Sequence, residues 1–143
     1  MAIRWLALAT TLLVACAARA PRVPFGALGD GLDPFLAAHQ LGDGQAIRAD
    51  EVGRTATASY HLVQARGAEH PHRHAVHDLT VVVLRGRGTL TLAGAGVPLA
   101  AGDAAVVPRN TVHWFAPDSG RAIALVVFAP PLDAPDVVPA EVR

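Results

Sequence analysis

From about residue 45 onward, the chain alternates between short apolar, β-branched runs and clusters of turn-forming residues. The runs occupy residues 55–64, 79–84, 89–92, 104–107, 112–116 and 121–128. Glycine, proline, asparagine and aspartate separate them, as expected for strands joined by tight turns. No helical pattern of about 10–15 residues alternates with the strands, which argues against a parallel α/β sheet. We therefore predict an all-β domain over residues 45–130, with a sandwich or barrel architecture.

The segments that flank this domain have a different character. Residues 32–44 indicate a short helix and its lead-in, because Asp33 can cap free backbone N–H groups and Gly42 suits a left-handed end. Residues 131–143 are rich in proline. Because proline lacks the N–H donor of a central strand, we predict that this tail lies extended over the barrel.

The amino terminus has the layout of a secretory signal peptide, which we assign to residues 1–15. Arg4 precedes an apolar stretch, and small residues follow that stretch. The stretch is shorter than the ~20 residues that a membrane-spanning helix needs. The alternatives are a buried helix and a short membrane anchor, and the closely following Arg19 and Arg22 argue against both.

Residues 13–16 (LVAC) resemble the lipobox of bacterial lipoproteins, in which the cysteine is lipidated and becomes the first residue after cleavage. Cys16 is the single cysteine of the sequence, and an ordinary signal peptide with an incidental cysteine is the alternative. Lipidation of Cys16 would anchor the chain to a membrane of the bacterial cell envelope. Ala17, where an aspartate tends to retain lipoproteins in the inner membrane, favours the periplasmic face of the outer membrane. Residues 16–31 then form a lipidated tether.

Composition narrows the class of protein and its partners. A chain of 143 residues is the size of one domain. Its 12 basic and 12 acidic residues cancel, so it lacks the positive charge that a nucleic-acid partner requires. Hydrophobic residues make up 52% of the chain, which argues against intrinsic disorder. A single cysteine excludes an internal disulfide.

Histidines are concentrated in one segment, which holds His70, His72, His74 and His77. On an extended strand His72 and His74 point to the same face, because successive side chains alternate. Neutral imidazoles that converge in this way bind transition metals. A third ligand has to come from another strand, and His113, inside a later predicted strand, is the candidate. The alternatives are a solvated histidine-rich loop and a site that no longer binds its metal.

These histidines lie in two motifs that resemble those of the cupin superfamily. The motifs read Gly67-x4-His72-x-His74-x4-Leu79-x6-Gly86 and Gly102-x5-Pro108-x-Asn110-x2-His113. The resemblance covers residues 45–130 and implies a single-domain jelly-roll β-barrel, whose interior often holds a divalent metal. It also implies that His72, His74 and His113 are the histidine ligands.

One position departs from the family pattern. Leu79 falls where the family has a glutamate ligand, and leucine cannot coordinate a metal. We therefore consider His77 or Asp78 as an assisting ligand, with a three-histidine site, as in the cysteine dioxygenase group, as the alternative. The predicted metal ligands are His72, His74, His77 and His113. Imidazole ligands favour Fe, Zn, Ni or Cu over Mg or Ca.

The predicted strand that precedes the first motif contributes one of its two faces to the barrel interior. That face carries either Tyr60, Leu62 and Gln64 or His61 and Val63. The pattern of residues does not distinguish between the two faces.

Any chemistry has to come from the metal, because the sequence shows no Ser-His-Asp set, no cysteine nucleophile and no phosphate-binding glycine loop. We expect a domain that binds a divalent metal and a small molecule in the barrel cavity, and that is non-catalytic or weakly catalytic. A metal-dependent three-histidine oxygenase is the alternative, and a structural protein with a vestigial site is the third. Exposed edge strands would also permit a homodimer.

Overall fold

The structure is a computed structural model, and it describes residues 31–141. The signal peptide, Cys16 and the tether up to residue 30 lie outside the described residues, so their assignments stay predictions. The described elements are α1 (Leu32–Ala38), β1 (Ile47–Arg54), β2 (Ser59–Ala65), β3 (His72–His74), β4 (Asp78–Arg85), β5 (Arg87–Leu92), β6 (Ala95–Ala100), β7 (Ala104–Val107), β8 (His113–Pro117), β9 (Ala122–Ala129) and β10 (Val137–Pro139). Within residues 31–141, no helix has the length and apolar character that crossing a membrane requires.

The strands form two antiparallel sheets of five strands each. The first sheet has the strand order β1-β2-β9-β4-β7, and the second has the order β10-β3-β8-β5-β6. A shared core lies between them, to which the first sheet contributes Leu79 and Val126 and the second contributes Leu90 and Leu99. The predicted all-β jelly roll with a short N-terminal helix is confirmed.

Helix α1 covers the outer face of the first sheet. Its buried residues Leu32, Phe35 and Leu36 pack against a second apolar cluster that includes Leu62 and Ile123. The helix is shorter than predicted and ends at Ala38 rather than Gly42. It begins at Leu32, whose side chain is buried.

The expected cap of this helix was therefore wrong. Gly31 occupies the N-cap position, and no side chain caps the helix there. Asp33 lies within the first turn, and its carboxylate accepts a hydrogen bond from Arg85 at 2.7 Å. This ion pair ties the helix to β4.

A left-handed residue shapes the turn that leads into β8. Asn110, which stands where the cupin motif has glycine, has a φ of 63°, a conformation that asparagine tolerates. Its N–H donates to the carbonyl of His74 at 2.7 Å, and its Oδ1 accepts a bond from Arg73 at 2.8 Å. The turn is thereby fixed to β3, next to the point where β8 begins.

The C-terminal tail does more than lie over the barrel, because part of it joins a sheet. Strand β10 pairs with β3 in antiparallel register and forms an edge of the second sheet, a position that tolerates proline. Upstream of β10, the N–H of Leu132 donates to Ser59 Oγ at 2.9 Å, and Arg54 binds Asp133 at 2.6 Å. The tail is therefore attached to both sheets.

Candidate metal centre

Strands β3 and β8 bring three histidines together. His72 pairs directly with His113, the first residue of β8, and His74 lies two residues along β3 on the same face. The possible ligand atoms of the three rings all lie within 4.8 Å of one another. His74 and His113 are buried, whereas His72 is partly exposed. We call these three residues the histidine cluster.

In every ring of the histidine cluster, Nδ1 is bonded to an oxygen acceptor. The bonds run from His72 to the carbonyl of His70 at 2.8 Å, from His74 to Asp136 Oδ1 at 2.7 Å, and from His113 to the carbonyl of Thr111 at 2.9 Å. Carbonyl and carboxylate oxygens have no hydrogen to donate, so the proton of each neutral ring lies on Nδ1. The lone pair of each ring then lies on Nε2, where a metal would bind it. The donor set therefore fits a divalent transition metal.

Burial keeps one ring of the cluster uncharged. Burial is the main cause, repulsion from His72 and His74 adds to it, and the bond to Thr111 opposes it; together they lower the pKa of His113 to about 4. The ring is therefore neutral at pH 7. Because a metal binds only a deprotonated ring nitrogen, no proton has to leave His113 before binding.

Asp136, in the tail just before β10, supports the cluster through a hydrogen bond to His74. Its Oδ1 accepts the Nδ1–H of His74, and its Oδ2 accepts bonds from His77 Nδ1 at 2.6 Å and from the backbone N–H of Val76 at 3.1 Å. Burial opposes ionisation of this carboxyl, but the bonds from His74, His77 and Val76 outweigh it and hold the pKa of Asp136 well below its usual value. The result is a fixed carboxylate that orients His74.

Sequence reasoning missed Asp136. It lies 62 positions from His74 along the chain, so no local spacing links the two residues. The proline-rich tail also contains Asp133 and Glu141, so nothing in the local sequence singled out Asp136.

The structure does not place His77, one of the four predicted ligands, in the cluster. Its Nδ1 contacts Asp136, and its Nε2 contacts the carbonyl of Pro131 at 3.2 Å, so both nitrogens face oxygen acceptors. Asp78, the other proposed assisting residue, is exposed and accepts a bond from the backbone N–H of Arg109 at 2.8 Å. The candidate ligands are thus the three histidines of the cluster.

A cavity of about 300 Å³ lies inside the barrel and is lined by the histidine cluster. Most of its wall is aliphatic or aromatic and includes the buried side chain of Leu79. Besides the histidines, the ionisable side chains in its lining belong to Glu69 and Asp136. Val63 of β2 also lines the cavity, whereas Leu62 packs under α1. The strand face with His61 and Val63 is therefore the inward one.

The comparisons with known proteins agree with this architecture. Residues 59–128 match the family described as the cupin domain. A protein of Aquifex aeolicus (strain VF5), described as an uncharacterized protein, is 36% identical over 106 residues, which span 74% of this chain and 88% of that protein.

Solved structures share the fold as well. KdgF from Halomonas sp. is 26% identical with a TM-score of 0.59, and the match covers 66% of this chain and 88% of that one. An RmlC-like cupin from Shewanella frigidimarina NCIMB 400 is 20% identical with a TM-score of 0.56, and the match covers 62% and 80% of the two chains. The second likeness shows the fold alone.

Replacing Asp136 by asparagine should weaken metal binding. The asparagine amide has one acceptor oxygen and one donor NH₂ group in place of two acceptor oxygens, so the bonds to His74 and His77 cannot both persist. Loss of such a supporting carboxylate typically costs about 10–100-fold in metal affinity. The measurement is a Zn²⁺ titration of Asp136→Asn against a chromophoric chelator.

Asp133→Asn is the matched control, because Asp133 belongs to the same tail and its side chain is 83% exposed. This variant should keep the affinity of the unmodified protein. Thermal unfolding of both metal-free variants separates a loss of affinity from a loss of fold. If Asp136→Asn bound Zn²⁺ as tightly as the control does, Asp136 would have no supporting role in the metal site.

Proposed function

The chain belongs to the cupin superfamily, and on that premise we propose that it binds one divalent transition metal and a small molecule inside its barrel. His72, His74 and His113 would hold the metal, and the adjoining cavity would hold the molecule. The role is recognition at the bacterial cell envelope, non-catalytic or weakly catalytic.

The observation that carries this proposal is the bonding of the three Nδ1 atoms. A histidine whose Nδ1–H already has an acceptor presents Nε2 in one tautomer and one orientation. Three such rings lie together at the wall of an otherwise apolar cavity. In a purely structural role, rings packed against one another would gain nothing from holding their Nε2 atoms unpaired.

The protein's own residues prepare the site before any ligand arrives. His70 and Thr111 supply backbone carbonyls, and Asp136 supplies a carboxylate, so the rings are oriented in advance. The largely aliphatic wall lowers the polarity around the cluster, which strengthens the polar contacts made there. A bound metal would supply a Lewis-acidic position for one polar atom of the small molecule.

Anchoring is the part of the proposal that depends on the sequence pattern alone. Lipidation of Cys16 would leave residues 17–31 as a short tether between the membrane and helix α1. The barrel would then stay at the membrane surface, at the periplasmic face of the outer membrane.

A metal-dependent three-histidine oxygenase is the second candidate. The specific observation in its favour is Leu79, which leaves the cluster without a carboxylate ligand and so would leave room for another ligand on a bound ion. Against it, both carboxylates that line the cavity already accept hydrogen bonds, Glu69 from Phe115 and Asp136 from His74 and His77. Oxygen uptake by the Fe²⁺-loaded chain with small thiols and enols, stoichiometric with product, would favour the enzyme.

The double variant His72→Ala/His74→Ala should lose metal binding, because one imidazole cannot hold a divalent ion against water. Elemental analysis of the protein purified from its bacterial envelope measures this directly. We expect about one metal ion per chain in the unmodified protein and a residual amount in the variant.

His70→Ala is the control for this experiment. His70 contributes its backbone carbonyl to the site, its side chain is exposed, and alanine retains the carbonyl. Equal metal content in the double variant and in the control would show that the ligands are assigned wrongly.

Cys16→Ser should release the chain from the membrane fraction, since serine cannot carry the thioether-linked lipid. Fractionation of bacterial cells, followed by detection of the chain, gives the measurement. Retention of the serine variant in the outer membrane would contradict lipid anchoring, while metal content in the same samples reports on the barrel independently.

A further inference from the structure

Resting on the proposed function, we infer that the small molecule is a compact apolar compound with a single oxyanion head, such as a medium-length or aromatic carboxylate. A sugar or another polyhydroxylated compound does not match the cavity. Three features of the cavity carry this inference: its wall, the bonding of its polar atoms, and the residue at position 79.

The wall of the cavity is apolar over most of its extent. Val81, Leu99, Phe115 and Val126 are among the side chains that line it. A hydroxyl group placed against such a wall loses its bonds to water and gains none in return, which is costly for each hydroxyl. The volume of about 300 Å³ equals that of about ten water molecules, so the compound is small.

The polar side chains of the lining are largely bonded to the protein itself. Both oxygens of Asp136 accept bonds from His74, His77 and Val76. Oε2 of Glu69 accepts the backbone N–H of Phe115 at 2.8 Å. A ligand therefore meets one polar end, at the histidine cluster, and one further carboxylate oxygen on Glu69.

Leu79 decides the charge of the head group. It is 5% exposed and lines the cavity where the family motif has its glutamate ligand. Three neutral imidazoles leave the full charge of a divalent ion in place, so an oxyanion of the ligand takes the role that the glutamate has elsewhere. Because Glu69 and Asp136 also line the cavity and offset part of this charge, a singly charged head suits the site better than a phosphate.

The test uses the full chain loaded with Zn²⁺ and three carboxylates of equal charge: hexanoate, acetate and gluconate. Isothermal titration calorimetry measures their affinities. Each methylene that leaves water strengthens binding by about a factor of four, so hexanoate should bind more than about tenfold tighter than acetate. Gluconate, which has a similar length but carries hydroxyls, should bind no tighter than acetate.

The variant Leu79→Glu provides a second, independent test. The new carboxylate should occupy the position that the ligand's oxyanion would take, so the variant should retain Zn²⁺ and lose hexanoate binding. Val106→Glu is the matched control, because Val106 is 61% exposed and does not line the cavity. It should bind hexanoate as the unmodified chain does.

The outcomes are distinguishable. A chain that takes up no Zn²⁺ overturns the proposed function, and this inference falls with it. A Zn²⁺-loaded chain that binds acetate or gluconate as tightly as hexanoate, or binds none of them, overturns the inference and leaves the metal site standing. If Leu79→Glu does not fold, the ranking of the three carboxylates on the unmodified chain decides alone.

Discussion

The histidine cluster depends on one constraint: the Nδ1 atom of every ring already has a hydrogen-bond acceptor. Without those bonds each imidazole could exchange tautomers and rotate, and the three rings would have no reason to present the same nitrogen. Two of the acceptors are backbone carbonyls two residues before the histidine, at His70 and Thr111. The local chain geometry that places the rings therefore also fixes their protons.

The third acceptor links the cluster to a distant part of the chain. Asp136 reaches His74 because β10 pairs with β3, the three-residue strand that carries two of the histidines. The pairing places β3 between β10 and β8, so both neighbours contribute to the site. The orientation of His74 and the position of the tail are thus linked through the second sheet.

Much of this arrangement was predictable from the sequence, and the reasons are physical. The two-residue period of a strand places His72 and His74 on one face, and antiparallel pairing makes His113 their natural partner. Asp136 was not predictable, because its contact is long-range and its tail pairs only at a sheet edge. His77 was expected among the ligands because it lies close in sequence, but the chain bends between β3 and β4, and its ring faces Asp136 instead.

The cavity wall is mostly apolar, whereas the cluster needs polar partners for its rings, and the fold provides both. A low-polarity wall makes any unpaired polar group costly. The Nδ1 atoms of the cluster and both oxygens of Asp136 have hydrogen-bond partners within the protein, so the Nε2 atoms are the ones left for a metal. The departure at Leu79 keeps that wall continuous up to the histidines. Because Leu79 supplies no carboxylate to a bound ion, a ligand in the barrel would have to supply the negative charge.

The most direct measurement is X-ray absorption at the edge of the metal that is bound to the chain as isolated from the cells that produce it. We expect three imidazole nitrogen scatterers at about 2.0–2.1 Å if the ion is zinc, with the remaining positions filled by oxygen ligands. A spectrum with oxygen neighbours alone, or with a single imidazole, would contradict it.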